Sequence, residues 1–207
     1  MYLPAHFRQD RLDVLHRFIG QHSLATLVTL GPDGLLANHI PLVLDPEPGP
    51  FGTLRGHVAK ANPQWRDSLP HVSALAIFEG PSAYISPSWY PSKEETGRVV
   101  PTYNYVVVHA HGRLSTYTDP ARLDQHLRIL TAHHEASFPI PWTIDNAPAD
   151  FIAAQLNAIV GIEIAIERLQ GKWKVSQNRT PADRAGAVTG LRANGCPAMA
   201  ALVSDSE

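Results

Sequence analysis

Residues 80–105 combine flat rings with hydrogen-bonding side chains in a way that suits a binding site better than a core. Their sequence, GPSAYISPSWYPSKEETGRVVPTYNY, includes Ser88, Trp89 and Tyr90 in one cluster and Thr102 and Asn104 in another. A half-buried strand would alternate apolar and polar residues, whereas here rings, hydroxyls and an amide stand side by side. Such a surface suits a planar ligand with polar edges. The alternative is an aromatic strand pair that sets sheet register, although the prolines of SPSWYP would interrupt its hydrogen bonds.

A second candidate site lies in residues 55–65, RGHVAKANPQW. Here a predicted strand end supplies Arg55 and His57, and the turn that follows supplies Lys60, Asn62 and the free N–H groups of a helix start. Cations, an imidazole and a helix N-terminus are the groups that bind phosphate. The alternative is a solvated turn in which the asparagine caps the helix.

A third candidate is the strip KWKVSQN near the end of the last predicted strand. Strand alternation places Lys172, Lys174 and Ser176 on one face and Gln177 on the other. The first face is polar and cationic, and it suits a phosphate or a carbonyl edge. An exposed edge strand protected by its lysines would have the same pattern, so both interpretations stay open.

Other chemistries have weaker signals. His109 and His111 share one side of a predicted strand, and the run 133–135 is His-His-Glu, but neither has a recognised metal-ligand spacing. We therefore predict no metal site. Cys196 precedes a proline without a catalytic motif around it, and the chain contains no Gly-x-Ser-x-Gly elbow. Gly-x-Gly-x-x-Gly and Walker loops are also missing from the sequence, which argues against the common nucleotide cradles.

Composition limits the classes of function. The chain has 207 residues, of which 44% are hydrophobic, enough for the core of one domain. A net charge of −2 gives no basic footprint for nucleic acid. A single cysteine favours a reducing cytoplasm, and no apolar run reaches the roughly 20 residues of a membrane span. We expect a cytoplasmic, single-domain protein with no membrane partner.

The order of predicted elements favours an antiparallel fold, mainly β with peripheral helices. An amphipathic helix ends near Gly20, and the GPDG sequence joins two strands as a hairpin. Further strands follow up to about residue 118, and a helix begins after Asp119. A second helix precedes a strand with Ile162 and Ile164 on one face, and the tail of about 180–203 is helical. This order lacks βαβ alternation and therefore predicts an antiparallel barrel.

Five blocks together identify a family. MYLPAHF, GHVAKANPQW, GPSAYISPSWY, VPTYNY followed by VHAHG, and KWKVSQNR occur in this order over most of the chain. In this combination the sequence resembles the PaiB-type FMN-binding negative transcriptional regulators. The resemblance implies the FMN-binding split β-barrel and a homodimer with flavin near the subunit interface. The chain has Tyr103 where the family form VPTWNY has tryptophan, which keeps a ring at that position.

The resemblance also implies site residues. His57, Lys60 and Asn62 would meet the flavin phosphate, and Thr102 and Asn104 would lie along the ribityl chain. A second group would close over the flavin ring or contribute from the C-terminal segment: Ser88, Trp89, Tyr90, Lys174, Ser176 and Gln177.

Three functions stay open at this point. The family label implies a negative transcriptional regulator, acting through DNA or a partner protein. A bound FMN would equally suit an FMN-dependent oxidoreductase or flavin reductase, because the cofactor carries the chemistry. A flavin or haem carrier without turnover is the third. DNA enters only through the family label, since we find no helix-turn-helix signal and only Arg179, Arg184 and Arg192 in the tail region.

Overall fold

The structure is a computed structural model, and it describes residues 1–47 and 49–205. The segment 46–52, PEPGPFG, is predicted to be a loop from its prolines and glycines, and its Pro48 lies outside the described residues. The last two residues of the predicted single domain also lie outside them. The described strands are β1 (Arg8–Gln9), β2 (Leu24–Gly31), β3 (Gly34–Pro41), β4 (Val43–Asp45), β5 (Thr53–Ala59), β6 (Ala74–Ile85), β7 (Thr102–Tyr117) and β8 (Ile159–Lys174).

The described α-helices are α1 (Leu12–Gln21), α2 (Gln64–Asp67), α3 (Ser92–Thr96), α4 (Pro120–Glu135), α5 (Ala149–Asn157), α6 (Pro181–Ala193) and α7 (Pro197–Ser204). Short 3-10 helices occupy Ala5–Phe7, Pro87–Trp89 and Ile144–Asn146. None of the helices within the described residues combines the length and the apolar character needed to cross a bilayer.

The strands form one mainly antiparallel sheet in the order β3-β2-β6-β7-β8-β5-β4, with β1 paired to β8. The path runs from β3 to β4 without closing, and helices accompany it. The sequence prediction of a mainly β split barrel with peripheral helices is confirmed.

The chain divides into two compact units, which are described in turn: the first is Met1–Phe18, Glu79–His109 and Gln170–Glu207, and the second is Ile19–Phe78 and Ala110–Leu169.

In the second unit, the predicted hairpin joins β2 and β3. Gly31 and Gly34 are paired across the turn, and Gly34 has a φ of 119°, a conformation that glycine adopts without steric cost. Strand β5 pairs antiparallel with β8 from Thr53 opposite Ala165 to Ala59 opposite Ile159. The alternating isoleucines of β8 are buried as predicted, which fixes the opposite face of this strand for polar residues.

Helix α4 begins as its sequence predicts. The Asp119 side chain accepts a hydrogen bond from the Arg122 backbone N–H at 2.8 Å, and a proline follows the cap. The buried positions are Leu123, His126 and Leu130, so a histidine takes one place in the apolar stripe. Unlike a hydrocarbon side chain, the buried imidazole of His126 requires a polar partner inside the second unit.

In the first unit, the chain ends in two helices. Thr180 caps α6 by accepting from the Asp183 backbone N–H at 3.2 Å. Gly195, with a φ of 73°, turns the chain between α6 and α7. The predicted helical tail is therefore a helix pair, whose buried residues are mostly small and apolar: Ala187, Gly190, Leu191, Met199, Ala200 and Val203.

Candidate functional site

In the second unit, the GHVAKANPQW block holds the β2–β3 hairpin through hydrogen bonds. Gln64 is 2% exposed, and its amide group donates to the Leu27 carbonyl at 3.0 Å and to the Thr29 hydroxyl at 3.2 Å. Asn62 accepts from the Gln64 backbone N–H at 3.0 Å, the capping role left open by the sequence. The ammonium of Lys60 is exposed and donates to the Asn157 carbonyl. Much of the block's polarity therefore serves the fold.

His57 faces helix α4. Its Nδ1 lies 3.2 Å from Nε2 of His126, and the two rings meet edge to face with centroids 5.4 Å apart. Burial, together with the neighbouring charges of His57 and Arg55, lowers the pKa of His126 to about 4, and Glu163 opposes the shift. Burial also lowers the pKa of His57. At neutral pH the pair is uncharged and shares one N–H···N hydrogen bond.

Arg55, the cation of the predicted phosphate site, is already paired with carboxylates. Its guanidinium donates to Glu163 at 2.9 Å and to Asp45. Arg122 also contacts Glu163 and stacks on the ring of Tyr117 at 4.2 Å. These groups line a cavity of about 270 Å³ in which two cations and two anions balance. The cluster ties β4, β5, β8 and α4 together and carries no excess positive charge for a phosphate.

The first unit brings the predicted residues of β7 and β8 together. The ammonium of Lys174 donates to the Thr102 hydroxyl and the Tyr103 carbonyl. Asn104, 1% exposed, donates from its amide to the hydroxyl of Ser176 at 2.9 Å. Four of the predicted flavin contacts thus form two adjoining pairs.

Ser176 holds an unusual backbone conformation. Its φ of 68° makes it the single non-glycine residue in the left-handed region among the described residues, and the side chain is 3% exposed. Such strain costs about 1–3 kcal/mol and concentrates at ligand sites. Gln177 next to it turns back on its own strand, accepting from the Val175 N–H at 2.9 Å and donating to the Trp173 carbonyl at 2.6 Å.

The Ser88–Trp89–Tyr90 cluster is held by the C-terminal segment. Tyr90 is 2% exposed, and the guanidinium of Arg179 lies 4.8 Å from its ring centre. A Cβ on Gly190 of α6 would come within 2.2 Å of the Trp89 ring. Ser88 is exposed, and its N–H donates to Ser86 at 3.2 Å. Tyr90 is therefore a core residue of the first unit, and Ser88 is the member of the cluster that is most open to solvent.

Helix α6 also fixes the start of helix α3, which follows this cluster. Asp183, 3% exposed, accepts from the Ser92 hydroxyl at 2.8 Å and from the Ser92 N–H at 3.1 Å. A Cβ on Gly186 would come within 1.9 Å of the Trp89 carbonyl oxygen, so the helix and this segment touch backbone to backbone. Helix α6 thereby sets the position of residues 89–92.

Several cations around the end of β8 have no acidic partner among the described residues. Lys172, Lys174 and Arg179 take part in none of the salt bridges among the described residues. Burial lowers the pKa of Lys174, and the positive charges of Lys172 and Arg179 lower it further. These neighbouring positive charges repel one another, and an anionic ligand would relieve that repulsion.

The residues of the first unit fit a flavin mononucleotide. Hydroxyl, amide and ammonium groups of Thr102, Asn104 and Lys174 suit a polyhydroxyl chain and the polar edge of a heterocycle. The exposed rings of Tyr84 and Tyr103 meet edge to face with centroids 5.8 Å apart, and they offer aromatic surface to a ligand. The donor set is rich in N–H and O–H donors and contains unpaired cations, the chemistry that an anionic, carbonyl-rich cofactor requires.

Several residues of the two units were not predicted as site residues. His126 and Glu163 meet β5 from 69 and 108 residues away, and no local pattern announces such contacts. Gln64 had a signal, because it stands between Pro63 and a tryptophan in the polar block GHVAKANPQW. No cluster of three or more His, Cys, Asp or Glu side chains suited to a metal occurs in the described part of the chain.

Comparisons with known proteins place the chain in a family. The family model described as "Putative FMN-binding domain" matches residues 1–168. The chain is 33% identical over 208 residues to the protease synthase and sporulation protein PAI 2 of Bacillus subtilis (strain 168), covering 99% of this chain and 97% of the relative.

Two solved structures are similar in fold. The conserved hypothetical protein Rv2991 from Mycobacterium tuberculosis has a TM-score of 0.60 at 14% identity, over 87% of this chain and 94% of its own. The FAD and heme binding protein from Mycobacterium smegmatis has a TM-score of 0.55 at 12% identity, over 81% and 73%. At these identities the likeness concerns the fold alone. The full-length relative and the family model agree with the PaiB-type resemblance of the sequence, and the chain belongs to this FMN-binding family, with FMN as its cofactor.

Proposed function

We propose that the chain is an FMN-binding protein of the PaiB type, and that its first unit contacts the cofactor through Thr102, Asn104, Lys174 and Ser176. The observation that carries this proposal is the pair of contacts between β7 and the end of β8, where a buried amide, two hydroxyls and an ammonium lie together. Buried polar groups of this kind are retained at a cost in stability, and a cofactor with many acceptors repays that cost.

Each residue has a defined part in this proposal. The Lys174 ammonium donates to a flavin oxygen in exchange for one of its two present acceptors. Asn104 is held by its hydrogen bond to Ser176. The other hydrogen-bonding groups of its amide contact the ribityl chain or the ring edge. Trp89 and Ser88 border the site, whereas Gln177 acts by fixing the turn after Val175. Bound FMN itself supplies redox chemistry.

The experiment is a flavin titration of the purified protein. We expect saturable quenching of FMN fluorescence, and we expect Asn104→Leu to weaken FMN by about 1–3 kcal/mol because its hydrogen bonds are lost. Gln9→Leu, a change of similar chemistry on the strand β1, is the control and should leave affinity unchanged. Wild-type protein that neither carries nor binds FMN would refute the proposal.

His57, Lys60 and Asn62 remain proposed contacts on the family resemblance. The Lys60 ammonium is exposed and contacts one backbone carbonyl, so it could exchange this acceptor for a ligand oxygen. The homodimer and the cytoplasmic location are likewise proposals from the sequence. Light scattering of the FMN-bound protein tests the first, and a monomer at micromolar concentration would contradict it.

For the biological role we propose negative regulation, which rests on the family resemblance and on the name of the sporulation relative. Direct base reading by α7 is disfavoured, because this helix, with the sequence PAMAALVS, has no cation and no amide side chain. Regulation through a partner protein fits this surface better. Salt-dependent preference for one promoter fragment over random DNA would reverse that choice.

An FMN-dependent oxidoreductase is the second candidate. The exposed Tyr84–Tyr103 ring pair favours it, because it leaves an aromatic surface open to a second planar molecule. Reduction of the bound flavin by NADH or NADPH, followed by reoxidation with an acceptor over repeated cycles, would establish turnover. A bound flavin that stays oxidised with both NADH and NADPH would contradict turnover and leave FMN binding as the function.

A further inference from the structure

We infer that His126 is a positioning residue for His57: its Nε2–H donates to Nδ1 of His57, so that His57 presents a neutral N–H at its own Nε2 to the cofactor. The cofactor half of this inference rests on the contact proposed above for His57, whereas the hydrogen bond between the two rings does not. Both residues belong to the second unit, His57 on strand β5 and His126 on helix α4.

The neutral pair has two possible arrangements. The facing nitrogens, Nδ1 of His57 and Nε2 of His126, are 3.2 Å apart, and a neutral imidazole carries one proton on its two nitrogens. If His57 donates, the proton of His126 must be at Nδ1. If His126 donates, its Nδ1 has only a lone pair, and the proton of His57 is at Nε2. The state of Nδ1 of His126 therefore decides between them.

The protein interior favours a bare Nδ1 on His126. This side chain is 2% exposed, and its Nδ1 is buried without a hydrogen-bond partner among the described residues. Native structures tolerate a buried acceptor without a partner more often than a buried N–H. Burial lowers the pKa of His126 most, and of two charged neighbours Arg55 lowers it more than Glu163 raises it, so these two charges give no net attraction for a proton. Donation from His126 also leaves both rings protonated at Nε2, the more stable tautomer of a neutral histidine in water.

The outer nitrogen of His57 is open to a ligand. Its Nε2 has no hydrogen-bond partner within residues 1–47 and 49–205, and solvent reaches it, in contrast to Nδ1 of His126. An N–H at this atom donates without protonation of the ring, and burial, which lowers the pKa of His57, keeps the ring neutral at pH 7. The charged and carbonyl oxygens of FMN are acceptors, so the opposite tautomer would set a lone pair against them.

The experiment is nitrogen NMR of the full-length protein with 15N-labelled histidines at neutral pH, first without FMN and then with it. The signals are assigned by their loss in His57→Gln and in His126→Gln. We expect a coupling between Nε2 of His126 and Nδ1 of His57 across the hydrogen bond, with the shared proton on Nε2 of His126 and a second N–H at Nε2 of His57. Added FMN should move the signal of this second N–H and leave the ring signals of His134, an exposed histidine of α4, unchanged.

Two pairs of variants test the positioning role through FMN affinity, measured by fluorescence quenching. His57→Leu should lose affinity by about threefold to tenfold, the equivalent of one hydrogen bond. His57→Gln should recover most of that loss, because its amide can accept from His126 and donate to the cofactor.

The second pair changes the supporting ring. His126→Leu should weaken FMN by about threefold and move the Nδ1 signal of His57 toward that of an unbonded nitrogen. His126→Gln should restore both, because a glutamine amide can donate to His57. His134→Leu is the matched control and should keep the wild-type affinity and the wild-type signals of His57.

The outcomes separate this inference from the proposed function. A proton on Nδ1 of His57, or two rings without a coupling, would overturn the inference. FMN that binds without moving the Nε2 signal of His57 would overturn the positioning role and keep the proposed function. A wild type that binds no FMN refutes the proposed function and the cofactor contact, and the spectra of the cofactor-free protein still decide the hydrogen bond. If a thermal melt shows that His126→Leu does not fold, the wild-type spectra and the two His57 variants decide.

Discussion

The contact between helix α6 and Trp89 makes a quantitative prediction. Gly190 lies against the indole, and a Cβ at this position would come within 2.2, 2.4 and 2.5 Å of three ring atoms of Trp89. Forcing a methyl group into such a contact costs about 1–3 kcal/mol. Alanine in a helix interior recovers about 1 kcal/mol relative to glycine. Gly190→Ala should therefore lower the free energy of unfolding by up to about 2 kcal/mol.

The assay is chemical denaturation followed by circular dichroism, carried out as a double-mutant cycle. In a Trp89→Ala background the clash no longer exists, so the added alanine should be neutral or stabilising by about 1 kcal/mol. Gly20→Ala is the matched control, because the nearest atom to its new Cβ, apart from its own helix, is His133 Cε1 at 4.0 Å. An equal cost of Gly190→Ala with and without the indole would refute the reasoning.

Two further predictions concern the second unit. Because the pKa of His126 is lowered to about 4, the folded state resists its protonation, so stability is full above pH 6.5 and falls by about 3 kcal/mol as the pH drops to about 4. In His126→Gln, the free energy of unfolding measured by denaturation should lose this pH dependence. A variant whose stability changes with pH in parallel with the wild type would contradict the assignment. Glu163→Gln should cost about 1.5–3 kcal/mol at pH 7, since Arg55 and Arg122 lose a shared charged acceptor. Burial raises the pKa of Glu163, but the two guanidiniums outweigh it and lower the pKa. The cost of Glu163→Gln should therefore shrink as the pH falls below 4.5. Equal costs at pH 7 and pH 3.5 would contradict this prediction.

Local patterns in the sequence predicted local structure well. The GPDG turn, the Asp119 cap and the Thr180 cap each depend on neighbours within a few residues, and each is found where the pattern placed it. The pairing of Asn104 with Ser176 joins residues that are 72 apart. The family resemblance proposed both as flavin contacts but did not indicate this bond. Strand alternation was wrong for Ser176, because β8 ends at Lys174 and Ser176 has a φ of 68°.

Partners across the fold were not predictable. Arg55 and His57 looked like free groups for a phosphate, because nothing near them in sequence shows Glu163 or His126. Tyr90 looked like a stacking ring between prolines, and the fold buries it under Arg179. A polar or aromatic side chain has the same appearance in sequence whether it meets a ligand or another part of its own chain.

Ser176 has a consequence for anyone who selects variants of this protein for heat resistance. Its backbone conformation favours glycine, so Ser176→Gly should relieve strain, and a screen scored on melting temperature alone would enrich it early. The same change removes the hydroxyl that holds Asn104. Directed evolution without a flavin readout would thus drift toward robust proteins that have lost their cofactor, whereas selection on retained yellow colour would keep the serine.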